Sequence, residues 1–260
     1  EEEVMLSGFA NAQVKAEGQG VSFDTAQETY TARYTHDTVA LAFAITEEAI
    51  EDNLYDRLAS RYTKALARSM SNAKQVKAAK PLNDGLPSTD NFDSGDGVSL
   101  FSTNHATVSG TAVKNTLTTQ ADLNETSLEQ ALIDISAMTD ERGLRVAARA
   151  MKMIIPSANQ FTAERLMKSQ GRTGTADNDI NAVVSMGMVP QGYRVNNFLT
   201  DTDSWYLITD VPNGMKMFQR AALKTAMEGD FDTGNVRYKA RERYSFGVSD
   251  FRGIFGCEGA

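Results

Sequence analysis

One stretch restricts the fold of this chain more than any other: a strand-like run that passes without a break into a very long helix. In THDTVALAFAIT, Val39, Leu41, Phe43 and Ile45 alternate with Ala40, Ala42 and Ala44, the period-2 pattern of a strand. Thr46 stands where a helix N-cap belongs, with Glu47 and Glu48 in the first turn, where the helix dipole favours anions. Ile45 and Ile50 occupy the two positions of a hydrophobic staple. No glycine or proline follows until Pro81, so the pattern predicts a helix over 46–80, about 35 residues and roughly 50 Å long. Along it Ile50, Leu54, Leu58, Tyr62, Leu66 and Met70 recur every four residues, a stripe that drifts about 40° per step around the axis. Such a helix meets different partners along its length: two parts of its own domain, or its own domain and a neighbouring subunit.

The 260 residues are 41% hydrophobic and 23% charged, enough for a substantial core in one large domain or two small ones. The longest apolar run, VALAFAIT, is strand-length, so no membrane span is predicted. No signal peptide is visible, and the sequence begins at Glu1 rather than Met, so an upstream piece has been removed or lies outside the numbering. The single cysteine, Cys257, excludes an internal disulfide framework and a cysteine-based metal cage, and it fits synthesis in a reducing compartment. A net charge of −8 argues against a surface that grips nucleic acid all over, while leaving room for a local basic face.

The remaining pattern is α+β, with helices and strands mixed and no regular βαβ alternation. Residues 1–13 read as an arm. Residues 14–45 read as an extended hairpin: VSFDTAQ and ETYTARYT, a turn at His36–Asp37, then VALAFAIT. Residues 81–125 are polar and read as a long loop excursion with little core of its own, interrupted by a strand at 98–101. A helix is predicted over 126–142, opened by a Thr126–Glu129 capping box and stopped by Gly143, with Leu128, Leu132, Ile135 and Met138 on one face. A short buried strand follows at 151–156, then a helix from Ser157 with a Ser157–Gln160 capping box, then strands at 193–199 and 204–209. NVRYKARERYSFGV is one long alternating strand.

A search for chemistry returns little. GRTGTADN lacks the Gly-Lys-Ser/Thr ending of a phosphate-binding loop, and neither G-x-G-x-x-G after a strand nor G-x-S-x-G occurs. The two histidines, His36 and His105, are expected in solvent-facing turns and loops, too few for a zinc site or a serine triad. Asp90–Asp96 lacks the alternation of a calcium loop, and Asp201, Asp203 and Asp210 read as turn residues around a buried Trp205. No catalytic, cofactor or metal site is predicted, and the chain is not expected to be an enzyme. The last strand carries the strongest charge pattern. Arg237, Lys239, Arg241 and Arg243 fall on one face, about 7 Å apart, while Val236, Tyr238, Ala240 and Tyr244 fall on the other. Such a ladder repels itself unless carboxylates of adjacent strands or subunits, or phosphates of nucleic acid, neutralise it.

YTHDTVALAFAITEEAIEDNLYDRL resembles the hairpin-to-spine-helix junction of tailed-phage major capsid proteins of the Hong Kong 97 type. SLFSTNHATVSGTAVKN resembles the LFS-x-x-H stretch of one branch of that family. ALIDISAMTDERG with MKMIIPSANQFTAERLM resembles its helix, glycine, strand and P-x-x-x-x-x-A-x-x-L passage, and NNFLTDTDSWYLITD and RERYSFGVSDFRGIFG resemble its later strands. The likeness runs in order along essentially the whole chain. It implies an N-terminal arm (1–13), an extended E-loop hairpin reaching over a neighbour (14–45), a peripheral domain (46–146, with spine helix 46–80, loop excursion 81–125 and second helix 126–142), an axial domain (147–222) and a returning peripheral strand and tail (223–260).

The function implied is a coat protein that assembles as pentamers and hexamers into an icosahedral head around double-stranded DNA, in the virion after synthesis in the host cytoplasm. The partners implied are other copies of the chain, packaged DNA in weak non-specific contact, and scaffold, portal and decoration proteins, with no membrane. An upstream scaffolding segment removed by a maturation protease would account for the start at Glu1. Candidate inter-subunit contacts are Phe23, Tyr30, Tyr34 and Phe43 in the hairpin and the four basic residues of the last strand. Two other readings remain: an encapsulin-like nanocompartment shell, and an α+β enzyme or ligand-binding domain.

Overall fold

The alternating run ahead of the long helix forms a strand, but its partner is the last long strand of the chain and not the segment just before it. The computed structural model describes residues 1–52, 56–89, 91–172 and 179–260, and of 56–59 only the backbone. Leu54, Leu58, Asp90 and most of GRTGTADN lie outside the described residues or side chains. In chain order the strands are β1 (Glu2–Leu6), β2 (Glu28–Arg33), β3 (Asp37–Ile45), β4 (Ala150–Ile155), β5 (Tyr193–Val195), β6 (Trp205–Thr209), β7 (Met215–Gly229), β8 (Val236–Val248) and β9 (Ile254–Cys257). The helices are α1 (Glu47–Glu51), α2 (Asp56–Asp84), α3 (Glu125–Ala137), α4 (Gln160–Lys168) and α5 (Ala182–Ser185). No helix among the described residues is long and apolar enough to cross a membrane.

The strands form three sheets, ordered β1-β2, β3-β8-β7 and β5-β4-β6-β9. Two compact units divide the chain. One comprises Glu1, Tyr34–Ala78 and Met217–Phe246; the other comprises Glu2–Arg33, Ala79–Lys216 and Gly247–Ala260.

In the first unit, β3 runs antiparallel to β8 in an unbroken register from Asp37↔Tyr244 to Ile45↔Val236. Leu66 and Met70 of α2 pack on Ala240, Val39 and Phe43, which makes a small core between helix and sheet. The apolar stripe is therefore split: Leu66 and Met70 are buried, whereas Tyr62 is 43% exposed and Ile50 44%.

In the second unit the main core gathers Leu128, Leu132 and Ile135 of α3, Met153 and Ile155 of β4, Trp205 and Leu207 of β6, and Ile254 and Phe255 of β9. β4 pairs antiparallel with β6 and parallel with β5, and β6 pairs antiparallel with β9.

Several expectations change. The predicted hairpin pairing across His36–Asp37 does not form: β2 pairs with β1, inside the stretch expected to be a free arm, and β3 pairs with β8. The helix expected as one rod over 46–80 is α1, which ends at Glu51 with Asp52 as its C-cap, and α2, which runs past Pro81 to Asp84, because a proline in the last turn forfeits only one backbone bond and the buried Leu82 anchors that turn. It ends at Gly85, where a Cβ would lie 2.6 Å from the Pro81 carbonyl oxygen and 2.8 Å from Leu100 Cβ.

The 81–125 segment is not coreless. Leu82, Leu86, Leu100, Phe101, Val113, Leu117 and Leu123 all enter the main core, and its backbone accepts hydrogen bonds from Trp205 Nε1 (Ala121 O, 3.1 Å) and the Tyr206 hydroxyl (Leu82 O, 3.0 Å). VSLF contributes an isolated bridge, Asp93↔Ser99, rather than a strand. The cap of α3 is Asn124 with Ser127, not Thr126 with Glu129, and that helix ends at Ala137, well before Gly143. Ser157 opens a single 3-10 turn with no side-chain cap ahead of α4.

Candidate assembly surface

The register of β3 on β8 sorts side chains onto two faces. Val39, Leu41 and Phe43 stand across from Glu242, Ala240 and Tyr238; Thr38, Ala40, Ala42 and Ala44 stand across from Arg243, Arg241, Lys239 and Arg237. α2 packs on part of the first face, over Val39, Phe43 and Ala240, while Leu41 is 45% exposed. Phe43 stacks on Tyr238 with ring centroids 4.9 Å apart and sits tilted against Tyr62 at 5.7 Å. Lys74 of α2 reaches the buried Glu242 at 3.2 Å and lies over the Tyr244 ring.

The second face has no such cover. All four basic side chains and the small residues opposite them are exposed. Arg237 is ion-paired with Asp230. Lys239, Arg241 and Arg243 have no acidic partner among the described residues. At roughly 7 Å spacing these three cations repel one another across water, which favours an anionic neighbour over their isolation.

The aromatic candidates do not share a surface. Phe23 is 94% exposed in the bare segment 9–27, where every residue is exposed. Tyr30 is partly buried on β2 and its hydroxyl donates to the Ser249 carbonyl at 3.2 Å. Burial first, and the Asp250 carboxylate second, push the Tyr30 phenol far above its ordinary range, so the hydroxyl remains a donor. Tyr34 is 5% exposed and packs on Phe218 at 4.6 Å. Phe43 belongs to the small core under α2. The four basic residues thus share one open face, whereas the fold separates the four aromatics.

The histidines are not in the solvent-facing positions expected of them. His36 is partly covered and meets Ser245 Oγ at 3.2 Å. His105 is 0% exposed: its ring stacks on Phe251 at 3.8 Å, Nδ1 meets Asp96 Oδ2 at 2.6 Å, and Nε2 meets Asn115 Oδ1 at 3.0 Å. The Asn115 amide is held the other way round by three carbonyls, of Leu100, Phe251 and Ile254, so its oxygen faces the histidine. Both ring nitrogens thus face side-chain oxygens.

Burial, the largest single influence on Asp96, would raise its carboxyl, but the hydrogen bonds from His105 and Ser94 outweigh it and hold the group below its ordinary range. Nearby, Arg252 is buried with Glu141 at 2.7 Å and Asp250 at 3.3 Å and donates to the Thr139 carbonyl. This polar network ties distant segments of one core together. Its one sequence signal was the histidine of LFS-x-x-H. Among the described residues no three His, Cys, Asp or Glu side chains are grouped to hold a metal.

Three comparisons with known proteins bear on this geometry. A family model described as phage capsid protein matches residues 29–256. Comparison with curated proteins finds no match. Among solved structures, the capsid of cyanophage P-SCSP1u superposes with a TM-score of 0.60 at 12% identity, covering 100% of this chain and 83% of that one. The capsid of an empty GTA particle gives 0.59 at 16% identity, with 100% and 84% covered. The capsid of Myoviridae phage XM1 gives 0.58 at 10% identity, with 100% and 85% covered. At such identities the likeness is one of fold, and it extends over the whole length of the chain.

Proposed function

We propose a function from one premise: the chain belongs to the phage capsid protein family, whose model spans residues 29–256. With its Hong Kong 97 type of fold it serves as the major capsid protein, the repeated unit of an icosahedral phage head. The observation that carries this reading is the family match over most of the chain, and the full-length likeness of its fold to capsid subunits supports it.

The finer parts of the reading are proposals. Copies associate as pentamers and hexamers, the shell encloses double-stranded DNA, and scaffold, portal and decoration proteins join it during assembly. The protein resides in the virion after synthesis in the host cytoplasm and acts as structure, not as a catalyst. Residues 147–222 form most of the axial domain, and the peripheral domain is built on α2 and the β3-β8-β7 sheet. The hairpin closed by β1 and β2, with Phe23 in its bare segment, is the E-loop that reaches a neighbour.

Electron microscopy of the purified chain, with light scattering on the same sample, tests the reading. Uniform closed shells tens of nanometres across are expected, on the scale that many copies of a 28.3 kDa subunit build. A protein that stays monomeric with and without its co-expressed head proteins overturns it. Shells isolated with protein cargo and no DNA would move it to a nanocompartment.

A further inference from the structure

The β3-β8-β7 sheet is electrically polar along its length, and that polarity points to a contact between copies. At one end of β8, Arg237 lies across from Ala44, the residue just before Ile45 and Thr46, so α1 begins at that end of the ladder. α1 and its C-cap carry Glu47, Glu48, Glu51 and Asp52, four carboxylates within six residues. All four are exposed, and none has an ion-pair partner among the described residues. Onward along β8 from that end follow Lys239, Arg241 and Arg243, equally exposed and equally without an acid among the described residues.

Arg243 is six residues along the strand from Arg237, about 20 Å. The acids of α1 therefore lie too far along the strand to pair with Arg243 of their own sheet, and Arg241 stands about 13 Å from Arg237. Asp230 already occupies Arg237, the cation at the α1 end of the ladder. Glu47 and Glu51 are one helical turn apart, as are Glu48 and Asp52, a spacing of about 6 Å that matches the roughly 7 Å step of the ladder. The row Ala40, Ala42 and Ala44 beside the ladder is small enough to leave room for an incoming helical turn.

We infer that the basic face formed by Lys239, Arg241 and Arg243 of one copy receives the acidic turn Glu47–Asp52 of the next copy. An acidic turn beyond one end of the sheet and a basic face along it are different surfaces of the subunit, so the contact is head to tail. A heterologous contact of this kind closes into a ring when its rotation allows, and otherwise makes an open filament. The inference rests on the shell-forming reading and names the partner of its basic face: a second copy of this chain, not nucleic acid.

Charge reversal of the full-length chain tests it. One variant carries Lys239→Glu, Arg241→Glu and Arg243→Glu. A second carries Glu47→Lys, Glu48→Lys and Glu51→Lys. A third carries all six. Each triple variant should remain a folded subunit by circular dichroism and lose about tenfold or more of its particle yield, because like charges then face each other at the contact. The sixfold variant restores opposite signs and should recover particles. Rising salt should weaken the wild-type contact.

Normal assembly of either triple variant overturns the inference, as does failure of a folded sixfold variant to assemble. Normal particles of the ladder variant that package less DNA would assign the face to nucleic acid and overturn it equally. Absence of particles from the wild type strikes the capsid reading itself, so the two failures are told apart.

Discussion

Two sheets of this molecule are built to different degrees of completion. In β5-β4-β6-β9, every residue of β9 is buried and all but one of β6, and α3 and the 81–125 segment close the core. In β3-β8-β7, α2 packs a small cluster on part of one face, the other face is open, and β7 is exposed from Ala222 to Gly229. The first is a finished core whose polar members are paired inside one chain. The second is half of a structure: an open basic face and an exposed edge strand are features that a lone chain normally avoids, and that a partner removes. A subunit of a shell needs both, one part to fold by itself and one to be completed by its neighbours.

The sharpest way to break the contrast is to attack the finished part. Arg252→Met leaves Glu141 and Asp250 buried without their cation, and should cost about 3–5 kcal/mol of stability in urea unfolding. A loss below ~1 kcal/mol would mean that the buried network is not what unites those segments. Phe43→Asp comes next. It puts a carboxylate against Tyr238 and beneath α2, for a local cost of about 2–4 kcal/mol. If the two cores are separate in energy, hydrogen exchange should quicken along 60–78 and stay slow in β4. Equal quickening in both would show one cooperative unit.

How much of this was legible beforehand follows the same divide. Local periodicity carried well: the basic and apolar faces of β8, the Leu128–Met138 face of α3, and the strands β4 and β6 all stand where their patterns put them. Pairing over long sequence distance did not. Nothing in THDTVALAFAIT says that its partner lies about 200 residues onward, and a hairpin with the preceding strand was the local solution.

β7 was missed because MKMFQRAALKTAMEG is rich in Met, Lys, Ala and Gln, good helix formers, and an open face leaves little period-2 signal. The 81–125 segment looked coreless because its apolar residues are single and irregularly spaced, though nearly every one is used. His105 looked exposed for the same reason: the polar residues around it signal a loop, and only the fold reveals that Asp96, Asn115 and Phe251 enclose it.

A smaller effect separates the parts by pH. Asp96 is held below its ordinary value of 3.8, so the unfolded chain takes up its proton more readily than the folded one. Its stabilisation is complete above that range and disappears as pH falls through the lower folded value. Unfolding of the second unit should therefore be acid-sensitive below about pH 4, and Asp96→Asn should remove that part of the slope. An unchanged slope would place the acid sensitivity elsewhere.

The smallest effect on stability should carry the largest one on assembly. Phe23 touches solvent almost everywhere, so Phe23→Ser should leave subunit stability within about 0.5 kcal/mol. In a shell, though, an aromatic on an exposed segment is worth having only against another surface, where burying it returns about 2 kcal/mol or more per copy. Repeated at every subunit, that loss should lower particle yield in light scattering without moving the unfolding midpoint. A shifted midpoint would show that Phe23 already packs within its own chain. Unchanged yield would show that the bare segment is an arm without a seat.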